Sequence, residues 1–208
     1  MTPDLPTERK SVIQPTGVAQ ILLQGFAGHA VRIDSGQQND LQKILGDLSL
    51  EEREFPGGDE GIRAKQEFST QGGVIVQRAV FAVKKDMDAI LVTQRQQATH
   101  GSPGHRIVSG GSILISGSPQ ATASEVLAKK AELSVPPASE ELFALSIGDP
   151  KVSKGIYYLF LVHRTQLAFA TTVKSRTQDT VAFKRRGRAR LLIGNKTMEH
   201  SVLDLLNK

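Results

Sequence analysis

Two adjacent lysines, Lys129 and Lys130, close a segment that opens at Ser118-Pro119 and follows the pair Gly110-Gly111. Neighbouring ammonium groups near a helix end can meet phosphate oxygens directly, as point charges, without a metal between them. Glu125 and Glu132 flank them, seven residues apart, so one helix face can carry both. With Lys129 lying between, these carboxylates are expected to pair with it before they bind a cation. A second cationic stretch, Lys184-Arg185-Arg186-Gly187-Arg188-Ala189-Arg190, holds five basic residues in seven. It suits the phosphates of RNA or DNA, or an acidic partner surface. Base stacking would fall to Tyr157, Tyr158 and Phe160, in a chain with eight Phe, two Tyr and no Trp. In so apolar a strand, however, rings belong to a core by default.

The remaining chemistry-bearing residues give little. His29, His100, His105, His163 and His200 form no i, i+4 pair and have no acidic cluster beside them. His100 and His105 share a loop that a phosphate could approach. Gly-x-Ser-x-Gly, His-Glu-x-x-His and the phosphate-cradling Gly-x-x-x-x-Gly-Lys-Ser/Thr are absent. The chain has no cysteine, which excludes disulfides, thiolate metal sites and a cysteine nucleophile.

The elements that must position these residues can be read from periodicity. The first dozen residues carry two prolines and read as a loose tail; Val18 to Ile33, interrupted by Gly25 and Gly28, reads as short strands or a strand pair. Leu41, Ile44, Leu45 and Leu48 form one helical stripe, capped by Asn39 or Asp40. Glu51 to Gly58 reads as an exposed connector. The β-branched run Val74–Val83 predicts a central strand, with Ala89–Arg95 returning after a polar turn. Ser118 and Pro119 predict a helix start, and the helix should run to about Leu133. Strands are expected over Glu141–Ile147 and Ile156–Val162, and a last helix from Thr197, with Val202, Leu203, Leu205 and Leu206 facing inward.

With 208 residues, 39% of them apolar, the chain can bury a core, and no apolar run is long enough to span a membrane. Its net charge of +5 is unevenly spread: residues 1–70 hold 7 Lys/Arg against 11 Asp/Glu, residues 151–208 hold 12 against 3. The acidic front and basic back could clasp each other, or the basic end could meet a polyanion.

The order strand, turn, strand, Gly-Gly loop, helix, strands, final helix resembles the Nudix hydrolase fold. That family's signature runs from a glycine through a first Glu to an Arg-Glu-U-x-Glu-Glu-x-Gly-U helix, U being aliphatic. Laid from Gly111, Leu127 and Leu133 take the two U positions, and Ile90–Arg95 looks like the family's strand ending in a basic residue. The resemblance implies an α+β fold, a Nudix-like mixed β-sheet flanked by helices over residues 71–208, with an acidic N-terminal α/β extension over 1–70. The departures fall on the chemistry. Gly117 stands at the first Glu, Glu125 at the Arg, Val126, Lys129 and Lys130 at the three helix glutamates, and Glu132 at the Gly. In the family those carboxylates hold Mg²⁺ or Mn²⁺ and help activate water against a pyrophosphate link.

The resulting expectation is a catalytically silent domain, not an enzyme, with no metal and no cofactor. It would serve as a binding or structural subunit of a larger assembly such as a ribonucleoprotein or a virion. Partners would be proteins, with RNA or DNA at Lys184, Arg185, Arg186, Arg188 and Arg190, no membrane contact and a cytoplasmic location. Arg95, Lys129 and Lys130 are the expected phosphate or nucleotide contacts. The competing expectations are a divergent hydrolase of nucleoside diphosphate derivatives, using Glu125, Glu132, Glu140 or Glu141, and a nucleotide sensor that needs no metal.

Overall fold

The computed structural model describes residues 7–26, 29–33, 50–84, 88–95, 104–110, 118–135, 137, 139–148, 153–176, 180–194 and 196–206. The helical stripe expected at 41–48, and with it Gly111, Gly117 and the loop histidine His100, lie outside them.

The β-branched run forms β4 (Val74–Lys84), an eleven-residue strand at the heart of a mixed sheet. Along one edge it pairs in parallel with β10 (Tyr158–Leu167), which pairs antiparallel with β9 (Ser139–Ile147), which pairs with the short β2 (Ala30–Arg32). Its other edge is shared by three strands in succession. These are β1 (Glu8–Ile13) at Val74–Val76, β7 (Val108–Gly110) at Ala79–Phe81, and β5 (Ala89–Arg95) at Val83 and Lys84. β12 (Thr180–Arg185) and β6 (Gly104–Arg106) pair with β5, and β3 (Leu50–Phe55) with β1. A separate two-stranded ladder joins β8 (Ala131–Leu133) to β11 (Val173–Ser175).

Alternation along β4 divides the core. Val74 and Val76 pack with Ala19 and Leu22 of α1 (Gly17–Phe26), and Ala82 with Leu127 of α3 (Pro119–Lys130). On the opposite face, Ile75 meets Phe68 of α2 (Gly58–Thr70). Ala79 and Phe81 meet Ala189 and Ile193 of α4 (Arg186–Ile193), and Val202 and Leu203 of α5 (Thr197–Leu205). Among the described residues, no helix is long and apolar enough to cross a membrane.

Three expectations are corrected. The supposed tail pairs with β4 as β1, because Val12 and Ile13 are apolar enough to be fully buried. Val18–Ile33 is mostly helix: Ala19, Leu22 and Leu23 recur at i, i+3, i+4 and pack on the sheet, a period the glycines obscured. The Glu51–Glu54 connector is a strand, β3, whose side chains at 51–54 are nonetheless exposed, as their charge requires. α3 begins where expected, with the Ser118 hydroxyl accepting from the Ala121 amide at 3.1 Å and Pro119 at the helix start, but it stops at Lys130 and passes straight into β8. Ser118→Ala is expected to lower stability by about 1 kcal/mol, read as a lower urea midpoint at unchanged slope.

Candidate functional site

β1 leaves the edge of β4 after the Ser11–Val76 pair, and β7 joins that edge only at the Gly110–Ala79 pair. Gln77 and Arg78 belong to neither ladder. At this fork lies a cavity of about 620 Å³, within the range of small-molecule sites. Its lining comes from both sides of the fork and from β10 across β4. One wall is Glu8 and Lys10 of β1, Ile62 and Lys65 of α2, and the turn Ser153-Lys154; the other is Arg106, Ser109, Gly110 and Lys130. Gln77, Tyr158 and Phe160 also line it.

Tyr158 and Phe160 are two apart on β10, so they share a face. Their rings stack with centroids 5.8 Å apart at 22°. Both are half-buried: they pack against the core beside Ile75 and Phe81 and also line the cavity. Burial, then the charge of Glu8, raises the Tyr158 phenol above its usual range, which keeps it protonated and a donor. Burial alone would raise the Glu8 carboxyl. Hydrogen bonds and charge from Lys10, at 2.6 Å, and Lys65 outweigh it, and Glu8 sits below the usual carboxylate range. The ammonium of Lys65, a residue only 8% exposed, also lies 5.8 Å from the Phe55 ring centroid.

The second wall is fixed from beneath. Glu199, 1% exposed, accepts the Ile107 and Val108 amides at 3.0 Å each with one carboxylate oxygen. Its other oxygen is 3.8 Å from Arg106. Burial pushes the Glu199 carboxyl up to about 7, against the opposing pull of the Ile107 amide, Arg106, the Val108 amide and Lys196. Glu199 thus ties the α5 start to the β6–β7 junction that carries Arg106 into the cavity. No sequence motif marks this residue.

Of the expected contacts, the structure brings Lys130 to the cavity. Lys129 lies on the exposed side of α3 and pairs with Glu125 one turn back, the pairing its spacing predicted. Arg95 ends β5 opposite Gly104, and its side chain lies outside the described part. Glu141 pairs with Arg164 across β9 and β10, and Glu132 is exposed in β8. The basic stretch is the end of β12 and α4. Arg186 is paired with Asp88 and Arg190 with Asp204, while Lys184, Arg185 and Arg188 are exposed. Glu8, Lys10, Lys65, Arg106 and Lys154 went unread as site residues because they come from separate segments that only the sheet pairings and the turn before β10 bring together.

A hard divalent cation would need several converging oxygen donors. Among the described residues no three His, Asp or Glu side chains cluster in that way. At the signature positions, Val126 is buried against Val80 and Ala123, Lys129 is paired with Glu125, and Lys130 lines the cavity. This donor set does not fit Mg²⁺ or Mn²⁺.

No family model and no curated protein matches the sequence. Among solved structures, the chain is similar to Tm1382, described as "a putative Nudix hydrolase", with a TM-score of 0.62 and 15% identity, covering 97% of this chain and 100% of that one. It also matches the Nudix domain of Shewanella oneidensis NrtR, solved with ADP ribose, at a TM-score of 0.48 and 12% identity, over 64% of this chain and 85% of that one. The mixed, helix-flanked sheet is therefore a Nudix-like α+β fold, as the element order implied. The expectation that the chain is not an enzyme is corrected here. It rested on the altered signature alone, and the fold is shared over nearly the whole chain with a protein described as "a putative Nudix hydrolase".

Proposed function

Proceeding from a Nudix-like fold, we propose that the protein is a divergent hydrolase of nucleoside diphosphate derivatives, with the fork cavity as its substrate site. The observation that carries this reading is the composition of one cavity: a stacked, half-buried pair of rings beside cations contributed by both walls. Tyr158 and Phe160 offer a base a face worth about 1–3 kcal/mol. Lys130 and Arg106 offer charge to the phosphates, the task that a metal performs where carboxylates are present. Glu8 is the one carboxylate among the described lining residues. Ionised at neutral pH and bonded to Lys10 and Lys65, it would take the proton of a water whose oxygen attacks phosphorus, while the pyrophosphate P–O bond breaks and the departing phosphate leaves with the bonding electrons and then takes up that proton.

A second reading, a nucleotide sensor that needs no metal, is favoured by Lys130 lining the cavity at a signature carboxylate position. Both are tested by following phosphate release from a panel of nucleoside diphosphate derivatives, with Mg²⁺, with Mn²⁺ and with chelator, alongside calorimetry with ADP. Turnover supports the hydrolase; ADP binding in chelator without turnover supports the sensor; neither rejects both. Lys130 is only half-buried, so Lys130→Glu should leave the fold intact and weaken ADP binding at least about tenfold, the effect of reversing one charge in a partly desolvated site.

A further inference from the structure

The turn that precedes β10 is built against its own sequence. Lys154 and Gly155 have φ of +57° and +79°, and the Ile156 amide bonds the Ser153 carbonyl at 3.1 Å, which makes Ser153–Ile156 a type I′ turn. Both central positions of that turn are left-handed, and Asn-Gly is the pair that fills them with least strain. Gly155 meets the requirement. Lys154 does not: an L side chain with a Cβ is disfavoured there, and lysine lacks the short polar group that lets asparagine visit this region.

The surroundings hold the strained residue in place. Gln66 of α2 donates its Nε2 to the Lys154 carbonyl at 2.7 Å, the Ser153 hydroxyl bonds the Ile156 carbonyl at 2.7 Å, and Ile156 is anchored in the core beside Phe68. The turn is thereby fixed to the α2 wall, and Lys154 lines the fork cavity. Lys10 and Lys65, from the same wall, are both held by Glu8. Lys154 is exposed, and among the described residues its ammonium pairs with no carboxylate. Backbone strain that is kept in place by neighbouring contacts, at a cavity, is the pattern expected where the side chain has work to do.

We propose that Lys154 is a specificity-determining residue of this cavity that meets a phosphate group of the bound nucleotide, and that the turn keeps a left-handed lysine for that contact. The inference rests on the nucleotide reading above. It adds that the ligand's phosphates reach the α2 wall as well as Lys130.

The test compares Lys154→Asn and Lys154→Arg with the unaltered chain, using thermal unfolding and calorimetry with ADP, inorganic pyrophosphate and adenosine. Asparagine suits the turn and lacks the charge. Lys154→Asn should therefore raise Tm by about 2–4 °C, the shift expected of a chain this size for relief of one such strain. It should also weaken ADP and pyrophosphate binding about tenfold and leave adenosine binding unchanged. Lys154→Arg should change neither Tm nor affinity by much. The proposal is overturned if Lys154→Asn binds ADP as tightly as the unaltered chain, if its Tm does not rise, or if adenosine binding falls in parallel. Should the unaltered protein bind ADP, and Lys130→Glu abolish that binding while Lys154→Asn does not, the nucleotide reading stands and this inference alone fails. If the unaltered protein binds none of the three probes, both fail together.

Discussion

Replacing Gly61 with alanine should cost the fold about 3 kcal/mol or more, despite alanine being the better helix former by about 1 kcal/mol. Gly61 lies in the first turn of α2, against the backbone that leads into the helix. A Cβ there would come within 2.9 Å of the Pro56 carbonyl carbon and closer still to its oxygen. Neither side can yield easily. Proline fixes its own φ, and Phe55 before it is 1% exposed, edge-on to Phe68 with ring centroids 6.0 Å apart. Relief requires α2 to move, and α2 carries Ile62 and Lys65 into the cavity, so nucleotide affinity should fall with stability. Gly187→Ala is the matched comparison. That glycine is also helical, with nothing within 4 Å of the point where a methyl group would stand and no positive φ, and its replacement should raise stability by a few tenths to about 1 kcal/mol. Urea midpoints that move in the same direction for both variants would refute the steric account.

The second large effect concerns pH. His163, 3% exposed, accepts a hydrogen bond from Arg78 at 2.8 Å, and burial followed by the Arg78 charge holds its pKa down to about 4, from 6.5. Between pH 4 and 6.5 the unfolded chain is protonated at this residue and the folded chain is not, so its contribution to stability is lost as pH falls through that window. Glu199 behaves oppositely. Its carboxyl is raised from 4.5 to about 7, so from pH 4.5 to 7 the folded chain holds a proton that the unfolded chain has lost, and stability declines as pH rises. The two slopes oppose each other over pH 4.5–6.5. Removing one should expose the other. Glu199→Gln retains an acceptor for the Ile107 and Val108 amides and should make stability fall on acidification from 6.5 to 4.5. His163→Gln should make it rise over the same interval. Denaturant midpoints taken at half-unit pH steps decide the matter: parallel curves for the two variants would show that these groups are not the source.

The sheet's centre was legible because β4, β9 and β10 are locally insistent, rich in β-branched residues and bounded by turns. α3 was legible because Ser118-Pro119 is a chemical start signal that the structure uses as such. α2 was not, since its sequence carries mostly charged and small residues and its buried contacts reduce to Phe68 and a few neighbours. β1 was hidden for another reason: nothing near Glu8–Ile13 announces a partner more than sixty residues on. The site inherits both difficulties. Lys130, Tyr158 and Phe160 could be nominated from their types and local context. The wall of Glu8, Lys10, Lys65 and Lys154 depends on the pairing of distant segments, and the role of Glu199 depends on burial that a lone helical glutamate does not advertise.

The parallel pairing of β4 with β10 also has a consequence for how the chain is made. The last residue of β4 leaves the ribosome roughly 75 residues before the first of β10, an interval of about 4–15 s at ordinary elongation rates. For that time the most apolar strand in the protein has its β10 side bare, while its opposite edge, covered by β1 only at Val74–Val76, fills as β5 and β7 follow. Such an edge is a template for any extended chain nearby, so the nascent protein depends most on a chaperone between the synthesis of β4 and the arrival of β10.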